Sequence, residues 1–337
     1  MPMNKTTAIL TDTHGRKHNY LRISLSEKCN LRCTYCMPHD GIPLSPRANL
    51  MSAEEIEAFA KVFVEYGVDK IRLTGGEPLV RKDFSDILGR LAKLPVKLSI
   101  TTNALLTHRF IADFKKYGLK DINVSLDSLN AEKFKFITRR DQYKKAFTNI
   151  EQLIKEGFNV KINAVLMKNF NEDEIVEFIK LTKERDINVR FIEFMPFDGN
   201  AWNKDKLVSQ AEIINRVTDH FGVEALQPLP NEKNFTARNF RIEGFTGSFG
   251  IISSVTNPFC DSCNRIRLTA DGKLKNCLFS NEETNLLKPF REGEKLEQLI
   301  DEALNKKKAV RAGMTDFDQL TNPDLHSNNR SMIAIGG

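Results

Sequence analysis

The sequence predicts an α/β protein, an open partial TIM-type (βα)6 barrel whose mouth is covered by a C-terminal α+β region. Two observations carry that expectation. From Tyr20 to about Met195, short β-branched runs alternate with longer amphipathic stretches, the pattern of a parallel sheet with helices packed outside it. The strand-like runs number six by this reading, short of the eight that close a full barrel. A doubly wound sheet is the alternative. In either architecture polar groups at the C-terminal ends of the strands become the candidate site. With 337 residues, the chain can bury a large core as one big barrel or as two units. The change of rhythm after Pro196 suggests a barrel with its N-terminal extension over 1–200 and a second region over 201–337.

The elements follow in order. Strands are expected at 21–25, 70–74, 97–101, 121–126, 159–165 and 188–194. Ser52 and Glu55 form a capping box ahead of Ile56, Phe59, Ala60 and Phe63 at helical spacing. Further helices are expected over 83–94, 107–117, 142–156 and 171–185, with Gly118 and Gly157 as stops for two of them. Beyond Pro196 come a helix at 209–221, strands near 238–244 and 247–253, and a charged helix within 292–311. Asp271 and Gly272 signal a hairpin with a type I′ turn. The basic run Lys306, Lys307 and Lys308 reads as a solvated helix face.

Composition excludes several classes. Apolar residues make up 41% and charged residues 28%, a globular balance. Mean hydropathy is −0.37, and no apolar run is long enough to cross a bilayer. The first twenty residues lack the apolar stretch and small-residue cleavage site of a signal peptide. A cytoplasmic setting is therefore expected, where clustered cysteines favour metal over disulfides. The net charge of +6 suits an anionic small molecule. It falls short of the dense basic stripe of a nucleic-acid binder.

All six cysteines fall into two trios. Cys29, Cys33 and Cys36 follow the first strand in the order C-x3-C-x2-C. Cys260, Cys263 and Cys277 lie far along the chain. Three thiolates on a four-iron cubane leave one iron open for an exchangeable ligand. Zinc completed by His39 or His18 is the alternative for the first trio, and a zinc knuckle is the alternative for the second. Gly75 and Gly76, at the end of the second strand, would let backbone approach a ligand, with Glu77 able to hold an ammonium. Arg22, Arg72 and Lys161 sit within strands, where alternation turns some side chains inward. A charge there is costly unless a partner arrives. Arginine forks match phosphate oxygens.

The first trio, with Tyr35 before its last cysteine, together with Gly75-Gly-Glu-Pro78, resembles the radical S-adenosylmethionine superfamily. The second trio with Arg265-Ile266-Arg267 narrows the likeness to the GTP 3′,8-cyclase family of molybdenum cofactor biosynthesis. So do Asp12-Thr-His-Gly-Arg16, Thr101-Thr-Asn103, Asn123-Val-Ser-Leu-Asp127 and the Gly336-Gly337 tail. The resemblance implies two [4Fe-4S] clusters, on Cys29, Cys33 and Cys36 and on Cys260, Cys263 and Cys277. It implies S-adenosyl-L-methionine beside Tyr35, Gly75, Gly76, Glu77, Ser125 and Met195. GTP would meet Arg22, Arg72, Thr101, Lys161, Arg265, Ile266 and Arg267, and the Gly336-Gly337 tail would thread into the mouth. The implied activity is a lyase forming (8S)-3′,8-cyclo-7,8-dihydroguanosine 5′-triphosphate. Its implied partners are cyclic pyranopterin monophosphate synthase downstream, an electron donor such as flavodoxin, and a second copy in a homodimer. A radical enzyme acting on peptides, and a non-catalytic zinc protein that binds RNA, are the competing readings.

Overall fold

The expected strands form a parallel sheet in a computed structural model that describes residues 10–38, 41–200, 202–230, 234, 236–326 and 329–336. They are β1 (Tyr20–Ser24), β2 (Lys70–Thr74), β3 (Lys97–Thr102), β4 (Asp121–Ser125), β5 (Asn159–Leu166) and β6 (Asn188–Glu193). Each pairs in parallel with the next. The connecting helices are α1 (Ala53–Glu65), α2 (Phe84–Leu91), α3 (Ile111–Lys116), α4 (Ala131–Thr138), α5 (Tyr143–Lys155) and α6 (Ile175–Lys180). The Ser52 capping box forms in full. Ser52 Oγ accepts from Glu55 N at 3.2 Å, and Glu55 Oε2 accepts from Ser52 N at 2.7 Å.

Three local expectations change. Helix α4 was not expected; it starts at Asn130, whose side chain accepts from the N–H groups of Glu132 and Lys133, and it buries only Phe134, Ile137 and Thr138. The helices expected over 107–117 and 171–185 each open with a 3-10 turn, leaving shorter α-helices. The hairpin at Asp271 and Gly272 forms without a type I′ turn. Gly272 N donates to Thr269 O at 2.9 Å, and only Gly272 of the pair has a positive φ, 68°. This is a type I turn followed by a left-handed bulge residue.

The C-terminal region adds α7 (Gln210–Phe221), β7 (Leu226–Pro228), β8 (Arg238–Ile242), β9 (Ser248–Ile252), β10 (Arg265–Leu268), β11 (Lys273–Lys275) and β12 (Thr284–Asn285). The helices α8 (Leu287–Arg291), α9 (Glu297–Asn305), α10 (Phe317–Thr321) and α11 (Met332–Ile335) follow. Of the charged helix expected over 292–311, only α9 is formed. The region does more than cover the mouth. β9 pairs in parallel with β6, and β10 in parallel with β1. The sheet therefore runs β12-β11-β10-β1-β2-β3-β4-β5-β6-β9-β8-β7, with eight parallel strands in its middle.

Register sorts the side chains into two faces. Leu21, Ile23, Ile71, Leu73, Ile100 and Ile122 belong to the main apolar core with Phe59, Phe63, Phe84 and Phe114 of the surrounding helices. The alternate positions turn inward. Arg22 stands opposite Arg72 on one side and Arg267 on the other. Ile266 is registered with Leu21 and is 0% exposed in that apolar core. It faces the helices, and its expected place beside substrate is corrected on that ground.

Candidate functional site

One chamber opens at the C-terminal ends of the barrel strands and holds about 1910 Å³ of free space, its open mouth included. All six cysteines line it, as do Arg22, Tyr35, Arg72, Gly75, Gly76, Glu77, Thr101, Ser125, Met195, Arg265 and Arg267. Among the described residues three expected ones do not: Ile266, Lys161 and Gly336. Ile266 belongs to the core, and Lys161 stands off the lining. Burial, aided by Arg190, holds the Lys161 ammonium down to about 8. Asn163, Arg190 and Arg311 line the chamber as well, and inward alternation on β5 and β6 could have flagged the first two.

The first trio sits in a loop stitched to the barrel. Arg32 N donates to Thr138 O at 3.0 Å and Thr34 N to Ile137 O at 2.9 Å, so the C-terminal end of α4 holds the loop down. A tight turn follows, with Cys36 N and Met37 N both donating to Cys33 O at 3.0 Å. The paired glycines serve this loop. Gly76 N donates to Ser26 O and Glu77 N to Lys28 O. A Cβ on Gly75 would lie 2.6 Å from Ser26 O, and one on Gly76 would lie 2.5 Å from Lys28 O. The close approach that demands glycine is thus between β2's end and the cysteine loop.

Glu77 is likewise committed to the framework. Its carboxylate accepts from Leu79 N, Thr102 Oγ1 and Asn103 N, which leaves it a brace rather than a free ammonium acceptor. Burial outweighs those three donors and pushes its carboxyl up to about 7. Tyr35 Oη donates to Asp127 Oδ2 at 2.8 Å, and Val165 N donates to Asp127 Oδ1 at 2.9 Å. Burial raises Asp127 to about 6. Burial also pushes the Cys29 thiol up to about 11. Burial, with Cys29 and Asp127 beside it, takes Cys36 to about 12. Cys33 shifts in the same direction.

The second trio lies in different surroundings. Cys263 N donates to Cys260 O at 3.1 Å. Arg265 lies over the Phe259 ring, 4.7 Å from its centre. Lys307 Nζ reaches Cys263 Sγ at 3.6 Å and Arg265 O at 3.0 Å. At 3% exposure, Lys307 is not the solvated side chain that the basic run suggested. Burial opposes ionisation of Cys263, but Arg265 and Lys307 overcome it and bring the thiol down to about 6.

The inward arginines line the same chamber. Burial, with Arg72 and Arg265 nearby, lowers Arg22 to about 10, and its buried Nε has no partner among the described residues. Arg267 is lowered more strongly by burial and by Arg22 and Arg265. Tyr20 anchors the group: Arg22 and Arg72 lie 5.7 and 5.4 Å from its ring centre, and Lys70 lies 5.0 Å away. Crowding buried cations in this way is costly unless an anion pairs with them. The C-terminal tail meets residues of the chamber's wall. The Gly336 carbonyl accepts from Arg267. Gly336 has φ of 77°, and a Cβ there would lie 2.5 Å from Thr74 Oγ1. Gly337 lies outside the described residues.

The trios suit iron–sulfur cubanes by the softness of their donors and by their shared chamber. Among the described residues, no group of three or more His, Cys, Asp or Glu side chains converges on a single metal ion. His18 Nε2 is engaged with Asp12 at 3.0 Å, and His39 lies outside the described residues.

Comparison with known proteins defines the class. The Radical SAM superfamily matches residues 23–182 and Molybdenum Cofactor Synthesis C matches 187–312. The fold resembles SuiB of Streptococcus suis, solved bound to S-adenosylmethionine, with a TM-score of 0.59 at 18% identity over 82% of this chain and 67% of that one. Among relatives, "GTP 3′,8-cyclase, mitochondrial" of Arabidopsis thaliana is 47% identical over 99% of this chain and 85% of its own length. The GTP 3′,8-cyclase of Listeria welshimeri is 42% identical over 89% of this chain and 91% of its own. Human molybdenum cofactor biosynthesis protein 1 is 47% identical over 98% of this chain and 51% of its own. The chain thus spans about half the length of the human, mouse and bovine relatives. It belongs to the GTP 3′,8-cyclase family of radical S-adenosylmethionine proteins.

Proposed function

We propose that the chain converts GTP to (8S)-3′,8-cyclo-7,8-dihydroguanosine 5′-triphosphate, the first step of molybdenum cofactor biosynthesis. The observation that carries this reading is one chamber lined both by the two soft-ligand trios and by buried arginines crowded against one another. Cys29, Cys33 and Cys36 would hold one [4Fe-4S] cluster, with S-adenosyl-L-methionine beside Tyr35, Gly75, Gly76, Ser125 and Met195. Cys260, Cys263 and Cys277 would hold the second, facing the guanine. When bound, the first cluster and S-adenosyl-L-methionine supply the one-electron chemistry that starts hydrogen abstraction from C3′.

The chain's own residues do the rest by binding and orientation. Arg22, Arg72, Arg265 and Arg267 present forks to the triphosphate, and the barrel wall keeps bulk water away from these charge-assisted bonds. Arg267 must exchange its bond to the neutral Gly336 carbonyl for one to a phosphate oxygen, a stronger acceptor. Anchoring the triphosphate on β10, β1 and β2 leaves the nucleoside between the trios, where near-contact geometry lowers the barrier. The reading also requires an external electron donor such as flavodoxin, and cyclic pyranopterin monophosphate synthase to consume the product. It places the protein in the cytoplasm; no helix among the described residues is long and apolar enough to cross a membrane.

The test is anaerobic incubation with S-adenosyl-L-methionine, GTP and a chemical reductant. The expected result is 5′-deoxyadenosine that forms only with GTP, together with a product isomeric with GTP. The isomer arises because the hydrogen atom lost at C3′ is replaced by one electron and one proton. GTP-independent 5′-deoxyadenosine without that isomer would overturn the assignment and favour another substrate.

A further inference from the structure

We propose that Asp12, Arg16 and Lys307 form a positioning device for the second cysteine trio, with Lys307 donating to Cys263 and Arg16 locking the backbone that delivers it. The inference rests on the reading that Cys260, Cys263 and Cys277 carry a cluster.

Each link is short and mostly buried. Asp12 folds its own loop: Oδ1 accepts from His14 N at 2.9 Å and from Arg16 N at 3.1 Å. Its Oδ2 holds Arg16 Nε at 2.6 Å and His18 Nε2 at 3.0 Å. The aimed guanidinium then joins two segments far apart in sequence. Nη1 donates to Cys260 O at 3.0 Å and Ala309 O at 2.8 Å, while Nη2 donates to Lys308 O at 2.9 Å. One side chain therefore ties the trio's first cysteine to the two residues that follow Lys307. With that backbone held, Lys307 is set against Cys263 Sγ at 3.6 Å and Arg265 O at 3.0 Å.

The chemistry gives the device a purpose. A cubane on thiolates is anionic, and donors to its sulfurs tune both its potential and its retention. Lys307 supplies Cys263 with a charged donor from outside the trio's own strand, beside the Arg265 side chain that also bonds that sulfur. The first trio receives different company, with Asn103 Nδ2 as a neutral donor 3.9 Å from Cys29 Sγ. The arrangement gives the Asp12-Thr-His-Gly-Arg16 motif a role, through Arg16's bonds to Cys260, Lys308 and Ala309.

The experiment compares anaerobically reconstituted wild type, Lys307→Met and Lys307→Arg. Midpoint potentials are followed by electron paramagnetic resonance, and iron release to a chelator is timed. Methionine preserves bulk while removing the charge and the donor. The expected result for Lys307→Met is a second-cluster potential displaced to more negative values and iron loss about 10- to 100-fold faster from that cluster alone. Lys307→Arg should restore both, and the first cluster's signal reports that the variant is folded. Asp12→Asn should speed iron loss in the same direction. If wild type carries both clusters and Lys307→Met changes neither potential nor release, the positioning role is overturned. If wild type carries only the first cluster, the reading beneath it fails as well.

Discussion

The two cysteine trios offer the same three donors, and the sharpest electrostatic difference between them falls on Cys263, since burial raises Cys260 as it raises the first trio's thiols. Around Cys29, Cys33 and Cys36 the neighbours are Asp127, Glu77 and each other, and burial drives the thiols toward the neutral form. Around Cys263 the neighbours are Arg265 and Lys307, which favour the thiolate despite burial. A ligand count alone would treat the sites as equivalent. The wall behind the sulfur differs, and in this chain it differs by which strand edge each trio joins. The first loop follows β1 in the barrel's interior. In the second, Cys260 and Cys263 precede β10 and Cys277 follows β11, where the N-terminal extension and the 307–311 segment bring cations.

Several measurements would break or sharpen that contrast. The largest effect should come from Cys36→Ala, which removes a ligand from the first trio only. Deoxyadenosine formation should disappear and iron should fall to about half, with the second cluster retained. Full cleavage activity would show that the trios are not divided in this way. Next, Arg22→Ala with Arg267→Ala removes cations that belong to neither trio. GTP affinity by equilibrium dialysis should fall by a factor on the order of 100 or more, with iron unchanged, because each charged hydrogen bond is worth about 1.5–3 kcal/mol. Unchanged affinity would take these arginines out of the triphosphate site.

A smaller difference should appear in the metal-free chain. At pH 7 an alkylating reagent should modify Cys263 about tenfold or more faster than Cys36, since the thiolate is the nucleophile. Equal rates followed by mass spectrometry would erase the contrast. The smallest effect concerns the N-terminal loop behind the second trio. Burial and Lys307 lower His18 to about 4 from an ordinary 6.5. A base depressed on folding contributes stability that is present above its unfolded value and is lost as pH falls through 6.5 toward 4. The expected loss over that window is on the order of 3 kcal/mol. His18→Gln should show a flatter decline of melting temperature between pH 7 and 4 than wild type. An identical slope would mean that His18 does not resist protonation.

Legibility followed locality. Strands β1 to β6 were readable because β-branched runs at a steady spacing leave few alternatives, and the Ser52 capping box was readable because both partners lie within one turn. Helix α4 escaped because a short helix that buries three side chains carries little periodic signal. The cysteines, Gly75, Gly76 and the inward arginines announced themselves by type and spacing. The work done by Gly75, Gly76 and Glu77 did not, since the contacts that occupy them come from the Ser26–Lys28 backbone and from Thr102 and Asn103. Lys307 was misread as solvated because a lysine run looks alike whether or not a distant strand covers one of its members.

From its order of residues alone, this chain declares its donor sets, its parallel strands and the side of the sheet on which chemistry gathers. All three depend on residue type and on periods of two or about four along one segment. Only the folded chain decides that β10 docks beside β1 and β9 beside β6, which brings Cys260, Cys263 and Cys277 to the chamber that already holds Cys29, Cys33 and Cys36. It also decides which ionisable groups are buried together. Burial and charge proximity are properties of segments that meet across hundreds of residues, and no local pattern encodes the meeting.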